Sequence, residues 1–332
     1  MSARTSRSAA ILALLGSSLL WGTSFINIKI CGGALQSGAA PGTSPAFGPM
    51  LLTAVRFTVA VPLLLLLWPE ARRFFADLRE RGLLLRVSVC MAAGFLIQAA
   101  GLAYTTATIS AFITSVGVCL VPFLEWFFHR RRPSWRLALA VTLATGAVGL
   151  MTWSKAPADG SSWGFGLGEI LTLICVVAFS FQVLWTGEAT ERMGAAQLTV
   201  GTFAFTGLAS WACVLAAWPG QVPGALAAAA VSWQFWLLFA VIVVGATIGA
   251  MVLMNVFQRH VRPTEAAVVY TSEPVFAGIF AWALRPKQES LGILGFVGAG
   301  LMLLADLLAA VRVGEKPPPP PPEPPKPPDD QA

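Results

Sequence analysis

The sequence is poor in charge, in histidine and in paired cysteine. Only 11% of its 332 residues are charged, against roughly 25% in an ordinary soluble domain. The two histidines, His129 and His260, stand beside arginines, and the five cysteines are scattered singly. The sequence has no phosphate-binding loop and no metal-ligand spacing. So few charged residues cannot cover the surface of a water-soluble globular protein. Because the motifs are missing, we expect no catalytic residues, no metal and no cofactor.

Apolar runs dominate what is present. Hydrophobic residues make up 56% of the chain, in runs close to the 20 or so residues that cross a bilayer. Arg4 and Arg7 imitate a signal peptide, but the run from Ala9 to Ile30 is too long for one and is expected to be retained. The sequence predicts an all-α membrane protein with ten transmembrane helices near residues 10–30, 48–68, 86–105, 108–128, 136–153, 166–187, 195–218, 234–258, 263–284 and 290–311.

Basic residues lie mostly on one side of these ten spans. If the amino terminus is cytoplasmic, 17 of the 22 lysines and arginines fall in inside segments and three in outside ones. This bias predicts a bacterial-type inner membrane location with both termini cytoplasmic, including residues 1–9. Because topology accounts for the net charge of +6, we expect the lipid bilayer and no nucleic acid as a partner.

The two halves of the chain carry a faint repeat. Pro122 aligns with Pro274 at an offset of 152, whereas Ala111 aligns with Ala267 at an offset of 156, so that one helical turn is missing from the later copy. Five spans is an odd number, so two such halves would cross the membrane in opposite directions. Substrate sites in inverted-repeat proteins lie near the midplane, between the halves.

Several short motifs carry a family resemblance. They are Trp21-Gly22-Thr23-Ser24-Phe25, Arg56-Phe57, Gly101-Leu102-Ala103-Tyr104-Thr105-Thr106-Ala107, Ser110-Ala111-Phe112-Ile113-Thr114-Ser115, Gly168-Glu169 and Thr271-Ser272-Glu273-Pro274-Val275-Phe276. In order and spacing over residues 10–311 the chain resembles the EamA-type family of the drug/metabolite transporter superfamily. The resemblance implies two inverted five-helix repeats, 10–153 and 166–311, around a central cavity that opens to alternate sides and transports small metabolites.

The chain departs from that family at two places. Members often carry a Gly-Glu pair after the fourth and ninth spans, where this chain has arginines after His129 and the run that begins at Arg285. We therefore assign the role of that family glutamate to no residue of this chain.

Uncharged polar and aromatic residues inside the spans are candidates to line the cavity. Each could instead make an ordinary hydrogen bond between helices. The candidates are Trp21, Asn27, Gln98, Gln182, Asn255 and Tyr270.

Among the candidate site residues, Glu273 has the strongest physical argument for a specific role. It stands ten residues after Pro263 and eleven before Leu284, or about 15 Å from either end of its helix at 1.5 Å per residue. A charge at that depth needs a partner or a wet cavity. Two interpretations remain open: Glu273 serves substrate or protons, or it is a structural tie to Arg56 or to a hydroxyl.

The other intramembrane charges lie nearer the helix ends. Lys29, Arg56 and Glu169 could form a buried cluster in the outer half, although snorkelling also explains Lys29. Glu265 is expected to cap the ninth helix. The remaining two are expected to reach nearby arginines or interfacial water, and they are Glu125 near Arg130 and Asp306 near Arg312.

These patterns predict a secondary transporter that exports a small metabolite such as an amino acid or amine. With no nucleotide-binding domain in the sequence, a gradient or substrate exchange would drive transport. The alternative is a membrane sensor or interaction protein that retains the fold without transport. Residues 314–332 hold ten prolines and predict a disordered cytoplasmic tail. The sequence leaves open whether the chain forms a homodimer.

Overall fold

The computed structural model describes residues 7–75, 80–130, 135–153, 166–284 and 293–310, which are almost entirely helical. In the first half these are α1 Arg7–Gln36, α2 Phe47–Leu67, α3 Arg81–Leu102, α4 Ala107–Thr114, α5 Gly117–His129 and α6 Trp135–Trp153. In the second half they are α7 Leu167–Arg192, α8 Ala195–Ala217, α9 Val222–Ala230, α10 Trp233–Ala240, α11 Ala250–Phe257, α12 Pro263–Tyr270, α13 Glu273–Leu284 and α14 Ile293–Ala310. A π-helix, Val241–Gly249, joins α10 to α11. The tail predicted at 314–332 lies outside the described residues.

Within those ranges, seven helical segments are long and apolar enough to cross a membrane. They are Arg7–Gln36, Phe47–Leu67, Arg81–Leu102, Leu167–Arg192, Ala195–Ala217, Trp233–His260 and Pro263–Leu284. Large apolar side chains face outward, such as Leu66 at 68% exposure and Leu208 at 73%. Such a surface suits lipid, so the protein is a multi-pass helical membrane protein.

The other three predicted spans also coincide with helices. The fourth corresponds to α4 followed by α5, the fifth to α6 and the tenth to α14. The fourth is broken into two helices, whereas α6 and α14 are continuous over 19 and 18 residues.

Two helices are broken at corresponding places. The eight-residue helix α4 is followed by a turn at Ser115 and Val116, and the eight-residue helix α12 by a turn at Thr271 and Ser272. These turns stand 156 residues apart, which is the offset that the sequence repeat shows before its prolines. In the second copy Pro274 explains the break, because proline has no backbone N–H to donate to the carbonyl oxygen of Tyr270 and its ring would clash with that carbonyl.

Helix packing follows the same relationship between the halves. The most extensive pairs are α3 with α7, α6 with α14, α2 with α8 and α1 with α13. The pairs α2 with α8 and α6 with α14 each join a helix to its counterpart in the other half. Such self-pairing is expected where two repeats meet across a pseudo-two-fold axis.

The connector after the first helix differs from the sequence-based expectation. The uncharged stretch from about Gly32 to Phe47 is rich in Gly, Pro, Ser and Ala, which predicts a long irregular loop, but α1 continues to Gln36 because Cys31 and Leu35 are fully buried. The following turn packs against α9, a short helix that the sequence analysis did not predict. A Cβ at Gly38 would lie 2.3 Å from the carbonyl oxygen of Gly224, so this contact requires glycine.

Candidate functional site

A cavity opens between the two halves of the helical bundle. Its empty volume is about 780 Å³, solvent at its mouth included. Its walls come from α1, α3, α7, α11 and the two broken helices, and they carry aromatic, aliphatic and hydroxyl side chains around one carboxylate, that of Glu273.

The cavity wall repeats itself between the halves at an offset of 156 residues. Residues at equivalent positions of the two repeats face the same space, and the pairs are Ser24 with Ser180, Phe95 with Met251, Thr114 with Tyr270, Ser115 with Thr271, and Gly117 with Glu273. The sequence analysis named Tyr270 and Glu273 but missed most of the others. Extending the 156-residue offset through the first half would have found them.

Glu273 lies at the first position of α13, immediately after the break. Among the described residues its carboxylate has no hydrogen bond and no ion pair, although the side chain is half-buried. The exposed backbone N–H groups of a helix start favour a negative charge there. The expected tie to Arg56 is absent from the described structure, so Glu273 stands in the cavity without a protein cation beside it.

Arg56 lies behind the cavity wall instead. Its side chain is 3% exposed, and its guanidinium carbon lies 4.9 Å from the ring centre of Phe57 and 4.6 Å from that of Phe95. Attraction between the cation and the two ring faces stabilises the buried charge. Arg56 is therefore not part of the possible cluster with Lys29 and Glu169, because aromatic rings rather than carboxylates surround this arginine.

Four of the predicted uncharged residues line the cavity. Trp21 and Tyr270 meet edge to face with ring centres 5.3 Å apart, and Gln98 and Gln182 lie on the wall as well. The amide nitrogens of the glutamines donate to hydroxyl oxygens at 3.5 Å and 3.4 Å, respectively.

The two predicted asparagines lie away from this cavity. Asn255 is 1% exposed and donates its amide to Thr199 Oγ1 at 2.7 Å, which ties α11 to α8. Asn27 is 4% exposed, and its buried Oδ1 has no hydrogen-bond partner among the described residues. The prediction that they line the cavity is wrong, because their helix faces are turned into helix packing.

One end of the bundle carries a cluster of ionised groups around Glu265. Its carboxylate accepts hydrogen bonds from the side chain of Arg262 at 3.0 and 3.1 Å and from the Arg262 backbone N–H at 3.4 Å. Arg7, at the start of α1, forms an ion pair with it at 3.4 Å. The predicted cap of the ninth span is confirmed, and the same carboxylate joins α1 to α12.

Glu125 lies at this end too and caps the same helix from α5. Its Oε2 accepts hydrogen bonds from the backbone N–H of Thr264, at 3.1 Å, and from the Thr264 hydroxyl. The expectation that Glu125 reaches Arg130 or interfacial water is wrong, because the side chain is only 4% exposed and turns toward the start of α12.

A second polar cluster lies at the other end of α1. Lys29 Nζ donates to the carbonyl oxygen of Thr105 at 2.5 Å, and Thr105 Oγ1 donates to Glu169 Oε1 at 2.5 Å. Thr105 stands just before α4 and Glu169 in the first turn of α7. This cluster is the counterpart of the first, since each joins the start of a repeat's first helix to the start of a broken helix.

The cavity lies between these two clusters along α1. Trp21 follows Arg7 by fourteen residues and precedes Lys29 by eight, or about 21 Å and 12 Å at 1.5 Å per residue. The arrangement defines a class: a multi-pass helical membrane protein with a central cavity between two related halves, and polar contacts toward each end.

Comparison with known proteins gives the family. Residues 8–153 and 166–311 each match the EamA-like transporter family. The chain therefore belongs to that family, which is part of the drug/metabolite transporter superfamily, and this membership supports a transporter of that type.

Relatives extend the match over nearly the whole chain. An uncharacterized transporter of Archaeoglobus fulgidus is 27% identical over 306 residues, which cover 92% of this chain and 86% of the relative. A solved crystal structure with 16% sequence identity superposes with a TM-score of 0.66 over 92% of this chain and 97% of the other. The second likeness shows the fold alone.

Proposed function

We propose that this protein is a secondary transporter that exports a small organic metabolite across a bacterial-type inner membrane. In this proposal ten helices span the membrane as two inverted five-helix repeats, and both termini are cytoplasmic. The cavity opens alternately to the two sides. Its substrate is a metabolite of the size of an amino acid or amine.

The observation that carries the proposal is the symmetric cavity wall. Both broken helices turn at the same repeat position, and the residues around each turn face one cavity between the halves. Discontinuous helices at a repeat interface are a recurrent way to build transporter sites, because the interrupted helix supplies unpaired backbone groups to a ligand. A bundle that served only as a scaffold would need neither the breaks nor the space.

The two polar clusters are the contacts that would break in turn as the cavity opens to one side of the membrane and then to the other. At the cytoplasmic end, Arg7 and Glu265 hold α1 against α12, and at the outer end Lys29 and Glu169 meet through Thr105. Each cluster joins elements that must separate to admit solvent from its side. Alternation requires two states of comparable free energy, which weak polar contacts permit more readily than a tightly packed apolar seam.

Flux in reconstituted vesicles tests this function. Purified protein in proteoliposomes should give saturable, protein-dependent movement of at least one solute from a panel of amino acids, amines and organic acids. Protein-free vesicles of the same lipid are the matched control and should show no saturable movement. Correctly inserted protein that moves no solute under any imposed ion gradient would favour the rival function, a sensor that kept the fold.

A further inference from the structure

We propose that the cavity selects an organic cation, an ammonium group on an apolar body, over zwitterions and anions. This inference rests on the proposed function and names the substrate class of the same site. It starts from formal charge: the described wall contains the carboxylate of Glu273 and no lysine, arginine or histidine. In the equivalent position of the first repeat stands Gly117, so the carboxylate has no counterpart.

Four of the five serine and threonine hydroxyl groups on the described wall donate their protons to carbonyl oxygens of their own helices. Thr114 donates to the carbonyl oxygen of Ser110 at 2.8 Å, Ser180 to that of Val176 at 2.7 Å, and Thr271 to that of Val268 at 2.6 Å. Ser115 does the same toward Ala111 at 3.3 Å. A hydroxyl that donates to its own helix offers only lone pairs to a ligand.

The longer polar side chains of the wall show the same bias. Tyr270 donates its hydroxyl to Gln258 Oε1 at 3.2 Å. Gln98 and Gln182 donate amide protons to neighbouring hydroxyls, and their carbonyl oxygens accept no hydrogen bond from the described residues. Uncommitted donors on the described wall are the Ser24 hydroxyl, the buried indole N–H of Trp21 and the second amide N–H of Gln98. The site is therefore rich in acceptors, which suits a ligand that brings N–H groups.

Aromatic rings supply the surface for the rest of the ligand. Trp21 and Tyr270 lie edge to face on one side, and Phe95 and Phe179 form a second pair with ring centres 5.3 Å apart. Ring faces attract cations, with indole the strongest. The Arg56 guanidinium lies 4.6 Å from the ring centre of Phe95 but is not part of the described cavity wall, so a ligand carboxylate would meet acceptors and no cation on that wall.

Three ligands with one apolar body test the charge preference directly. Phenethylamine, phenylalanine and 3-phenylpropanoate share a phenyl ring and two carbons, and at pH 7 they are a cation, a zwitterion and an anion. Isothermal titration calorimetry on the purified full chain in detergent should show phenethylamine binding at least about tenfold more tightly than phenylalanine, since desolvating the added carboxylate of phenylalanine without a partner costs at least about that much. The anion should not bind measurably. Equal or tighter binding of either acid, or no binding of phenethylamine, overturns the proposal.

Variants at Glu273 locate the effect. Glu273→Gln should weaken phenethylamine binding about tenfold or more, whereas Glu273→Asp should retain most of it. Glu188→Gln is the matched control, because Glu188 is paired with Arg192 at 2.8 Å near the end of α7, away from the cavity wall. Unchanged affinity in Glu273→Gln contradicts the proposal. If that variant does not accumulate, the three-ligand comparison on the parent protein decides.

Binding in detergent separates this inference from the proposed function. Cation-selective binding without flux in vesicles would refute transport and leave the site assignment standing. Flux of an acid or zwitterion in preference to phenethylamine would refute the charge selectivity and leave transport standing.

Discussion

Glu273 occupies in the second half of the chain the place that Gly117 occupies in the first. Each begins a helix directly after a two-residue break, and each faces the central cavity. The two repeats therefore build a symmetric frame with one charged group on one side of it. This single asymmetry distinguishes the site from an empty passage between two similar halves.

Placing the carboxylate at the equivalent position of the first repeat should preserve ligand binding. A Cβ at Gly117 would lie 3.4 Å from the Ser180 hydroxyl and 3.8 Å from Val176, so that a side chain can leave the helix without a clash. We expect Gly117→Glu to restore phenethylamine binding to the Glu273→Gln variant, because the frame places both positions on one cavity. Calorimetry on the double variant checks this. Binding no better than in Glu273→Gln alone would mean that the two positions do not share a ligand.

Glu273 should also couple transport to protons. A carboxylate that binds either a proton or a ligand cation exchanges one for the other, so an imposed proton gradient should drive flux. Glu273→Gln keeps the shape of the protonated group and should remove the response of flux to that gradient. Vesicle flux at several pH values measures it, with Glu188→Gln as the control. The prediction fails if Glu273→Gln inserts normally and responds to the gradient like the parent.

The contact between α1 and α13 next to this site should tolerate no added carbon. A Cβ at Gly22 would lie 2.6 Å from the Cβ of Phe276 and 2.9 Å from the backbone nitrogen of Ala277. We expect Gly22→Ala to force the helices apart at a cost of about 1–3 kcal/mol in the free energy of unfolding. Gly33→Ala, in the same helix with no atom within 4 Å of the added carbon, is the control.

Thermal melting in detergent compares the two alanine variants. Gly22→Ala should melt several degrees lower than the parent, while Gly33→Ala should melt at the parent temperature or above it, because alanine favours helix. Equal melting of the two variants would show that the α1 and α13 contact is looser than the structure indicates.

Periodicity and apolar runs predicted the helices well but not the backbone features that make the site. Runs of about 20 apolar residues place α2, α7 and α8 within a few residues, since bilayer thickness fixes helix length. The break at Ser115 was not predicted, because no proline adjoins it in the sequence: Pro122 lies seven residues further on. Burial of Cys31 and Leu35 likewise extends α1 beyond any signal in hydropathy.

The direction of polar side chains was the harder part of the site to predict. Depth in the helix singled out Glu273, which the structure places in the cavity. Asn27 and Asn255 also lie within predicted spans, but a position along a span does not say which face of the helix meets the cavity. Glu125 was expected to pair with its sequence neighbour Arg130, whereas its partner, Thr264, is 139 residues away. Contacts of that kind follow only from the tertiary fold.

The orientation of the chain can be tested with single cysteines in a cysteine-free variant. The loop residues Arg79 and Arg131 and the helix end at His260 should face the cytoplasm, and the segments around Pro41, Asp159 and Pro223 should face outward. The reason is the excess of basic residues on the first set of segments. Impermeant thiol reagents on intact cells should label the second set alone. Strong external labelling of Arg131→Cys would reverse the topology.

Two-sided access to the cavity tests alternating access most directly. Thr114→Cys, on the cavity wall in the cysteine-free background, should react with an impermeant thiol reagent in both right-side-out and inside-out vesicles. Leu208→Cys, on an outward face at 73% exposure, should react in neither, because lipid disfavours the thiolate. Phenethylamine should slow labelling of Thr114→Cys from both sides. Labelling of that cysteine from one side alone, with or without ligand, would contradict a cavity that opens alternately to the two sides of the membrane.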